Sequence, residues 1–232
     1  MDCTKFRECT ALLFDFGGTV DSDGDHWLDR FFALYEGEGL GFDRDNIKRA
    51  FYEADSACHA DAGISAAGLR SLVHRHVHLQ FEALGFHDAA MHRQLAGRFC
   101  QGAEHVMSLR ADLFRTLKRR FRTGIVSNFF GNLEVVLDEA GLSGAFDVVI
   151  DSGRVGVSKP DRRIFMLALE RLALRPEQAV FIGDSYERDM APSAEIGMRT
   201  IWLKGPHPRM PENAPPVDAV ITSLAELEAL AS

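Results

Sequence analysis

Four groups of polar residues in this 232-residue chain have the types and order needed to attack an electrophilic centre such as phosphorus. They combine a carboxylate nucleophile, a hydroxyl, an ammonium group and a pair of further carboxylates. The groups are Asp15, Ser127-Asn128, Lys159-Pro160 and Asp184 with Asp189. Taken alone, each is more often a turn, cap or solvated residue. Their joint arrangement, one group per successive predicted strand, indicates an active site.

The elements that must position these groups are short strands alternating with helices. Apolar segments predict strands at 11–16, 123–127, 146–150, 179–183, 200–203 and 217–222. Amphipathic segments predict helices at 110–121, 133–140, 161–173 and 187–196, with one more at the C-terminus. Such alternation is typical of a parallel sheet, whose ligands bind at the carboxyl ends of the strands. The sequence therefore predicts an α/β fold with a doubly wound parallel sheet.

One long segment lacks strand signals. Between residues 25 and 107 the chain instead carries four amphipathic stretches of helical length, at 27–35, 44–59, 68–84 and 89–105. They predict an inserted, all-helical domain. We therefore predict an α/β core domain of residues 1–22 and 106–232, and a helical domain of residues 23–105.

Composition narrows the possible partners. The formal net charge of −8 repels polyanions, which argues against nucleic acid, although a small anionic substrate can still bind where a metal ion, a lysine and helix N-termini dominate the local potential. No segment approaches the roughly 18 consecutive apolar residues of a membrane span. The scattered Cys3, Cys9, Cys58 and Cys100 are expected to be reduced thiols. We expect a cytoplasmic monomer or homodimer that acts on a small molecule and binds neither nucleic acid nor membrane.

The four groups also resemble the ordered motifs of a known family. Residues 14–20, Phe-Asp-Phe-Gly-Gly-Thr-Val, resemble the first motif of the haloacid dehalogenase superfamily. Val126-Ser127-Asn128 is similar to the second motif, Ser158-Lys159-Pro160 to the third, and Gly183-Asp184-Ser185 through Asp189 to the acidic fourth. The resemblance covers nearly the whole chain. The helical insertion between the first two motifs matches the family's first cap subclass, so the inserted domain is expected to be a cap.

The resemblance implies a phosphatase. Asp15 would attack the substrate phosphorus and form an aspartyl-phosphate, which water later cleaves, with Ser127 and Lys159 as the other catalytic residues. The implied substrate-binding residues are Ser127, Asn128, Gly18, Thr19 and Lys159. The implied cofactor is magnesium, Mg²⁺, whose ligands would be Asp15, the backbone carbonyl of Gly17, Asp184 and Asp189, the last through bound water or Lys159. Oxygen ligands around a small hard cation fit magnesium.

The chain departs from the family pattern at Gly17. Phosphatases of this family carry a second aspartate there, which protonates the leaving group and then activates water. Loss of a general acid/base typically costs on the order of 10² to 10⁴ in rate. Weak activity is therefore expected, with a preference for good leaving groups such as acyl or aryl phosphates. Position alone suggests that His26 or Asp21 partly substitutes.

Other functions remain open. Family members that cleave carbon–halogen or carbon–phosphorus bonds also lack the second aspartate. The dehalogenases, however, carry tyrosine at position 17, and the phosphonate-cleaving members use a cap lysine, for which Lys48 is a poor match. A phosphotransferase that keeps its aspartyl-phosphate until an acceptor arrives is a further alternative. So is a non-catalytic protein that binds phosphate and metal without turnover.

Overall fold

The computed structural model describes residues 3–208 and 214–231. Six strands form one sheet in this part of the chain: β1 Ala11–Phe14, β2 Arg122–Ser127, β3 Val148–Asp151, β4 Ala179–Gly183, β5 Arg199–Leu203 and β6 Ala219–Ile221. Their spatial order is β3-β2-β1-β4-β5-β6, and every pairing is parallel. The predicted α/β fold with a parallel sheet is confirmed.

Strand β1 lies at the centre of this sheet and shows why it forms. All four of its residues are fully buried, so the strand is an unbroken apolar run rather than an alternating one. Leu12 and Phe14 pack into one hydrophobic cluster, and Ala11 and Leu13 pack into a second cluster on the other face. Helices cover both faces, as expected for a doubly wound sheet.

Nine α-helices occur in the described ranges: α1 Trp27–Gly37, α2 Arg44–Ala60, α3 Leu69–Ala83, α4 Ala89–Lys118, α5 Leu133–Glu139, α6 Ser152–Val155, α7 Arg163–Leu172, α8 Ala191–Glu195 and α9 Glu228–Ala231. The first four fall between β1 and β2, where the sequence predicts helices. The residues flanking the predicted site form two short π-helical turns, Phe16–Val20 after β1 and Tyr186–Met190 after β4.

One prediction is wrong at the end of this helical segment. The helices predicted at 89–105 and 110–121 form the single 30-residue helix α4. Ser108 looks like a possible start of a new helix, but its hydroxyl donates to the carbonyl of His105 at 2.7 Å and so bonds back onto the running helix. Buried Met107 keeps the junction packed. The predicted domain boundary after residue 105 therefore falls inside a continuous helix, and the two-domain division stays a prediction.

Helix α4 is also tied to the connection between β1 and α1. Arg110 of α4 forms an ion pair with Asp23 and donates to the hydroxyl of Ser223 at 3.1 Å. Asp23 in turn accepts from the backbone amide of Leu224 at 3.0 Å. Arg110 thus joins helix α4 to the connection between β1 and α1 and to Ser223 near the C-terminus.

Two further observations concern the described residues. None of their helices combines the length and apolar character that a membrane span needs. Cys9, Cys58 and Cys100 are buried free thiols, as the sequence predicts for them.

Candidate active site

The sheet brings the predicted reactive groups to one edge. Asp15 follows β1, Ser127 ends β2, and Asp184 follows β4, while β1 is hydrogen-bonded to β2 on one side and β4 on the other. The carboxyl ends of parallel strands meet at the same edge, so these side chains converge. Lys159, from the segment between β3 and α7, and Asp189, from the turn after β4, complete the group.

Asp15 is the centre of this group. Its Oδ1 atom accepts from Ser127 Oγ at 2.7 Å and lies 2.7 Å from Lys159 Nζ. The same lysine donates to Asp189 Oδ1 at 2.6 Å. Asp15, Ser127, Lys159 and Asp189 are all buried.

The electrostatics of Lys159 and the acids are coupled. Burial disfavours the Lys159 ammonium, but the charges of Asp15 and Asp189 outweigh it and raise the pKa of Lys159. Burial raises the pKa of Asp189 to about 6, although the nearby Lys159 charge opposes this rise. Desolvation, followed by the charges of Asp15 and Asp189, raises the pKa of Asp184 well above its ordinary value. The cluster therefore holds more negative charge than one lysine compensates.

A divalent cation fits this cluster. Asp15, Asp184 and Asp189 each offer an oxygen, and the three oxygens lie within 4.8 Å of one another. Two glycines let the backbone approach closely: an added Cβ would lie 2.6 Å from Asp184 Oδ2 at Gly18 and 2.4 Å from Asp189 Oδ2 at Gly183. Gly18 also has a positive φ of 86°, which favours glycine. Carboxylate oxygens in such a cradle suit a hard divalent cation.

The remaining predicted substrate-binding residues have other partners in this structure. Asn128 bridges the Lys159 backbone, accepting from its amide at 2.7 Å and donating to its carbonyl at 2.9 Å. The Gly18 amide donates to Asp21, and the Thr19 hydroxyl lies 3.4 Å from Asp184 Oδ1. These contacts order the loops around Asp15. Their role in binding substrate stays a prediction.

Gly17 lines the cavity above Asp15, next to the indole of Trp27. A Cβ added at position 17 would lie 3.4 Å from Trp27 Nε1. That nitrogen donates to Asp21 Oδ2 at 2.7 Å, and the ring packs against Phe129 with centroids 6.0 Å apart. A Cβ at position 17 would therefore be in van der Waals contact with the indole, and a longer side chain would extend past the ring or away from it.

The two predicted substitutes for the missing acid have different surroundings. Asp21 is fully buried and accepts from the Gly18 amide, Trp27 Nε1 and Arg30 Nη1, each at 2.7 Å. It is a structural anchor of the turn after β1. His26 lines the cavity, and its Nδ1 caps α1 by accepting from the Leu28 amide at 3.2 Å.

The cavity measures about 660 Å³ and has two sides. Asp15, Ser127 and Lys159 line it from the sheet edge. From the helical side come polar residues that sequence reasoning missed, chiefly Asp55 and His59 of α2. Their spacing of four residues on one predicted helix is the signal that was available, because it places both side chains on the same face. Lys48, the lysine considered for carbon–phosphorus cleavage, lines a neighbouring cavity.

Comparison with known proteins identifies the family. The sequence profile of the haloacid dehalogenase-like hydrolases matches residues 9–197, and the chain belongs to this family of hydrolases.

Curated relatives match over shorter segments. Haloacid dehalogenase-like hydrolase domain-containing protein 3 of Bos taurus is 38% identical over 112 residues, which cover 47% of this chain and 45% of the relative. Pyrimidine 5'-nucleotidase YjjG of Escherichia coli is 36% identical over 121 residues, or 51% of this chain and 53% of the relative. Phosphoserine phosphatase of Thermus thermophilus is 39% identical over 77 residues, or 33% and 31%. The chain spans about half the length of the first two relatives.

Solved structures match over nearly the full length. The HAD phosphatase from Thermococcus onnurineus superimposes with a TM-score of 0.57 at 24% identity, covering 95% of this chain and 97% of the other. A dehalogenase crystal structure gives a TM-score of 0.64 at 18% identity and 97% coverage of both chains. At these identities the likeness concerns the fold alone.

Proposed function

We propose that this protein is a magnesium-dependent phosphatase that hydrolyses a small phosphorylated metabolite through an aspartyl-phosphate on Asp15. The observation that carries the proposal is the geometry around Asp15 Oδ1, which contacts Ser127 Oγ and Lys159 Nζ at 2.7 Å each. Two donors on one oxygen orient the carboxylate, so that its other oxygen is presented for attack. Relatives named as a nucleotidase and a phosphoserine phosphatase support this reaction class.

Each residue then has a distinct task. Ser127 and the backbone of Asn128 hold phosphate oxygens, and Lys159 offsets the charge shared by Asp15 and the phosphoryl group. Asp15, Asp184 and Asp189, with the Gly17 carbonyl, would hold magnesium, which supplies charge neutralisation and polarises the phosphoryl group. Asp189 also fixes Lys159, because its Oδ1 lies 2.6 Å from the ammonium. The side chain of Asn128 holds the Lys159 backbone in place.

Gly17 sets the substrate preference within this proposal. No proton donor stands at position 17, so the first step is fastest when the leaving group departs as a stable anion. Acyl and aryl phosphates meet that condition and alkyl phosphates do not. We place the reaction in the cytoplasm, with a monomer or homodimer as the working unit, on the charge and composition of the chain.

A second candidate is a protein that binds metal and phosphate without turnover. Gly17 favours it, because position 17 carries no proton-transfer side chain and the site of its Cβ faces the Trp27 indole at 3.4 Å. The Asp15–Ser127–Lys159 geometry favours turnover instead, since a binding site has no need of an activated carboxylate.

Phosphate release from a panel of acyl, aryl, sugar and nucleotide phosphates decides between them. The wild type and Asp15→Asn are compared with magnesium and after chelation. We expect release by the wild type with magnesium, loss in both other conditions, and faster cleavage of acyl and aryl phosphates. Phosphate binding without release from any substrate supports the second candidate. Equal release by Asp15→Asn would overturn the assignment of Asp15 as nucleophile.

A further inference from the structure

A carboxylate flanked by two histidines lies on the helical side of the cavity. Asp55 of α2 has its Oδ2 atom 3.9 Å from Nε2 of His59, one turn further along the same helix. Its Oδ1 atom lies 4.0 Å from Nε2 of His76 on α3. Asp55 and His59 line the same cavity as Asp15. His76 is fully buried behind them.

The protonation of His76 follows from the residues behind it. The Tyr35 hydroxyl donates to Gln80 Oε1 at 3.2 Å, and with the amide in this orientation Gln80 Nε2 donates to His76 Nδ1 at 2.8 Å. Burial lowers the pKa of His76 to about 3, so the ring is neutral and carries its proton on Nε2. No acceptor among the described residues bonds to that nitrogen, and Asp55 is the carboxylate nearest to it.

His76 therefore presents a fixed N–H toward Asp55 from inside the protein. Phe31 holds the imidazole in place by stacking, with centroids 5.7 Å apart and planes 7° from parallel. Burial raises the pKa of Asp55, and the nearby charges of His59 and Arg188 oppose this rise. Of the two histidines beside Asp55, His59 lines the cavity and His76 does not.

His59 lies against the strand end that carries Ser127. Its ring packs on Phe130 with centroids 4.5 Å apart, and Phe130 follows β2 by three residues. Asp15 attacks phosphorus in line, so the bond to the leaving oxygen points away from Asp15 and into the cavity. Groups on the helical side of the cavity therefore meet the leaving oxygen.

We propose that His59 is the general acid and base that compensates for Gly17, with Asp55 as its positioning residue; this inference rests on the proposed phosphatase function. In the first step the Asp15–phosphorus bond forms, the phosphorus–oxygen bond to the leaving group breaks, and His59 gives its proton to that oxygen. In the second step water attacks phosphorus, His59 takes the water proton, and the Asp15–phosphorus bond breaks. The products are an alcohol and phosphate, and both His59 and Asp15 are restored.

The other charged or titratable groups around this pair are few. His76 faces Asp55 from α3, His26 lines the cavity at the start of α1, and Arg188 approaches Asp55 from the turn after β4. Arg188 and His76 do not compete for the role, because guanidinium groups stay protonated and His76 is buried and neutral. His26 is the remaining rival, and a variant of it is therefore included in the test.

The test compares leaving groups. His59→Gln, His26→Gln and Asp15→Asn are assayed with para-nitrophenyl phosphate, which needs no proton to leave, and with the alkyl phosphate that the wild type cleaves fastest. For His59→Gln we expect kcat/KM on the alkyl phosphate to fall about 100-fold and kcat/KM on the aryl phosphate to stay within about threefold. Retained aryl cleavage also shows that the variant is folded. A burst of nitrophenol should precede its slow turnover, because hydrolysis of the aspartyl-phosphate has lost its base.

Two further variants separate catalysis from structure. Asp55→Asn should lower kcat/KM on the alkyl phosphate and leave kcat/KM on the aryl phosphate within about threefold, because the imidazole of His59 loses the carboxylate beside it. His78 is an exposed histidine on α3 outside the cavity. His78→Gln is therefore the matched control and should leave kcat/KM unchanged on both substrates. Equal loss on both substrates, loss on neither, or the selective effect in His26→Gln overturns the proposal for His59. These results do not contradict the proposed phosphatase function, provided that Asp15→Asn abolishes cleavage of both substrates.

Discussion

The site of a Cβ added at Gly17 lies in van der Waals contact with the Trp27 indole, 3.4 Å from its Nε1 and 3.6 Å from its Cδ1. The backbone at Gly17, with φ −72° and ψ 120°, is open to any residue and does not require glycine. The small size of glycine at this position is therefore related to the neighbouring indole and not to the conformation of the backbone. An aspartate here must displace the ring or turn its carboxylate away from it.

This relationship predicts that restoring the family aspartate alone fails. Gly17→Asp should raise kcat on alkyl phosphates by less than about tenfold, because its Cβ contacts the indole and its carboxylate must turn away from the ring. Gly17→Asp combined with Trp27→Phe should exceed the single variant by at least about tenfold, since the smaller ring admits the carboxylate. Gly17→Ala and Trp27→Phe serve as controls in the same kinetic and urea-unfolding measurements. Equal activity of the single and double variants would contradict the steric explanation.

Asp21 is predicted to act in stability rather than in proton transfer. Asp21→Asn removes the charge that pairs with Arg30 and sets an amide NH2 group against one or two of the three donors, so the free energy of unfolding should fall by about 3–5 kcal/mol. Asp112→Asn, at an ion-paired side chain that is 89% exposed, is the control and should cost under about 1 kcal/mol. The pH profile of the remaining activity should keep its shape. A changed profile with unchanged stability would instead make Asp21 the proton-transfer group.

The carboxylate cluster predicts a stabilising metal effect that depends on Asp184. At free Mg²⁺ about 100 times its dissociation constant, the wild type should gain about 2.7 kcal/mol, seen as a rise in Tm that chelation reverses. Asp184→Asn relieves the crowding of like charges, so without metal it should melt no lower than the wild type. With metal it should gain little. Equal gains in both proteins would place the bound ion elsewhere.

His76 predicts a stability that declines in mild acid. Its folded-state pKa of about 3 lies below the value of about 6.5 for an unfolded imidazole, so the unfolded chain takes up the proton first as pH falls. The neutral His76 makes its full contribution to the free energy of unfolding above about pH 6.5, and this contribution is lost as the pH falls from there toward about pH 3. Between about pH 7 and pH 5 it amounts to about 2 kcal/mol, measured as the slope of the urea-unfolding free energy.

The pH dependence of the unfolding free energy is compared in His76→Phe and in the control variant His78→Gln. The phenyl ring keeps the buried volume but cannot be protonated, so the slope should become shallower by this amount. The exposed His78 should leave it unchanged. A wild-type slope in His76→Phe would show that other groups set the acid sensitivity.

Local patterns predicted the sheet and the reactive edge because both depend on neighbours in sequence. The apolar run at 11–14 and the residue that follows it place Asp15 at a strand end with no knowledge of the rest of the fold. Helix α4 was predicted as two helices because residues 106–109 continue neither amphipathic stretch, and the bond from Ser108 to His105 shows that the helix runs through them. The pairing of Trp27 with Gly17 and of His76 with Asp55 depends on helix packing and side-chain direction, which no local pattern encodes.

Arg110 is the residue through which helix α4 is held to the connection after β1. The ion pair from Arg110 to Asp23 holds the helix beside the sheet. Phe99 lies about three turns nearer the start of the helix and packs against Trp27 with centroids 4.8 Å apart. Residue 89 lies roughly 30 Å from Arg110 along the helix, so a tilt of about 5° there moves the far end by about 3 Å. Such a tilt would also move Trp27, because the indole packs against Phe99 of this helix. The size of the cavity would then change together with the packing beside Gly17.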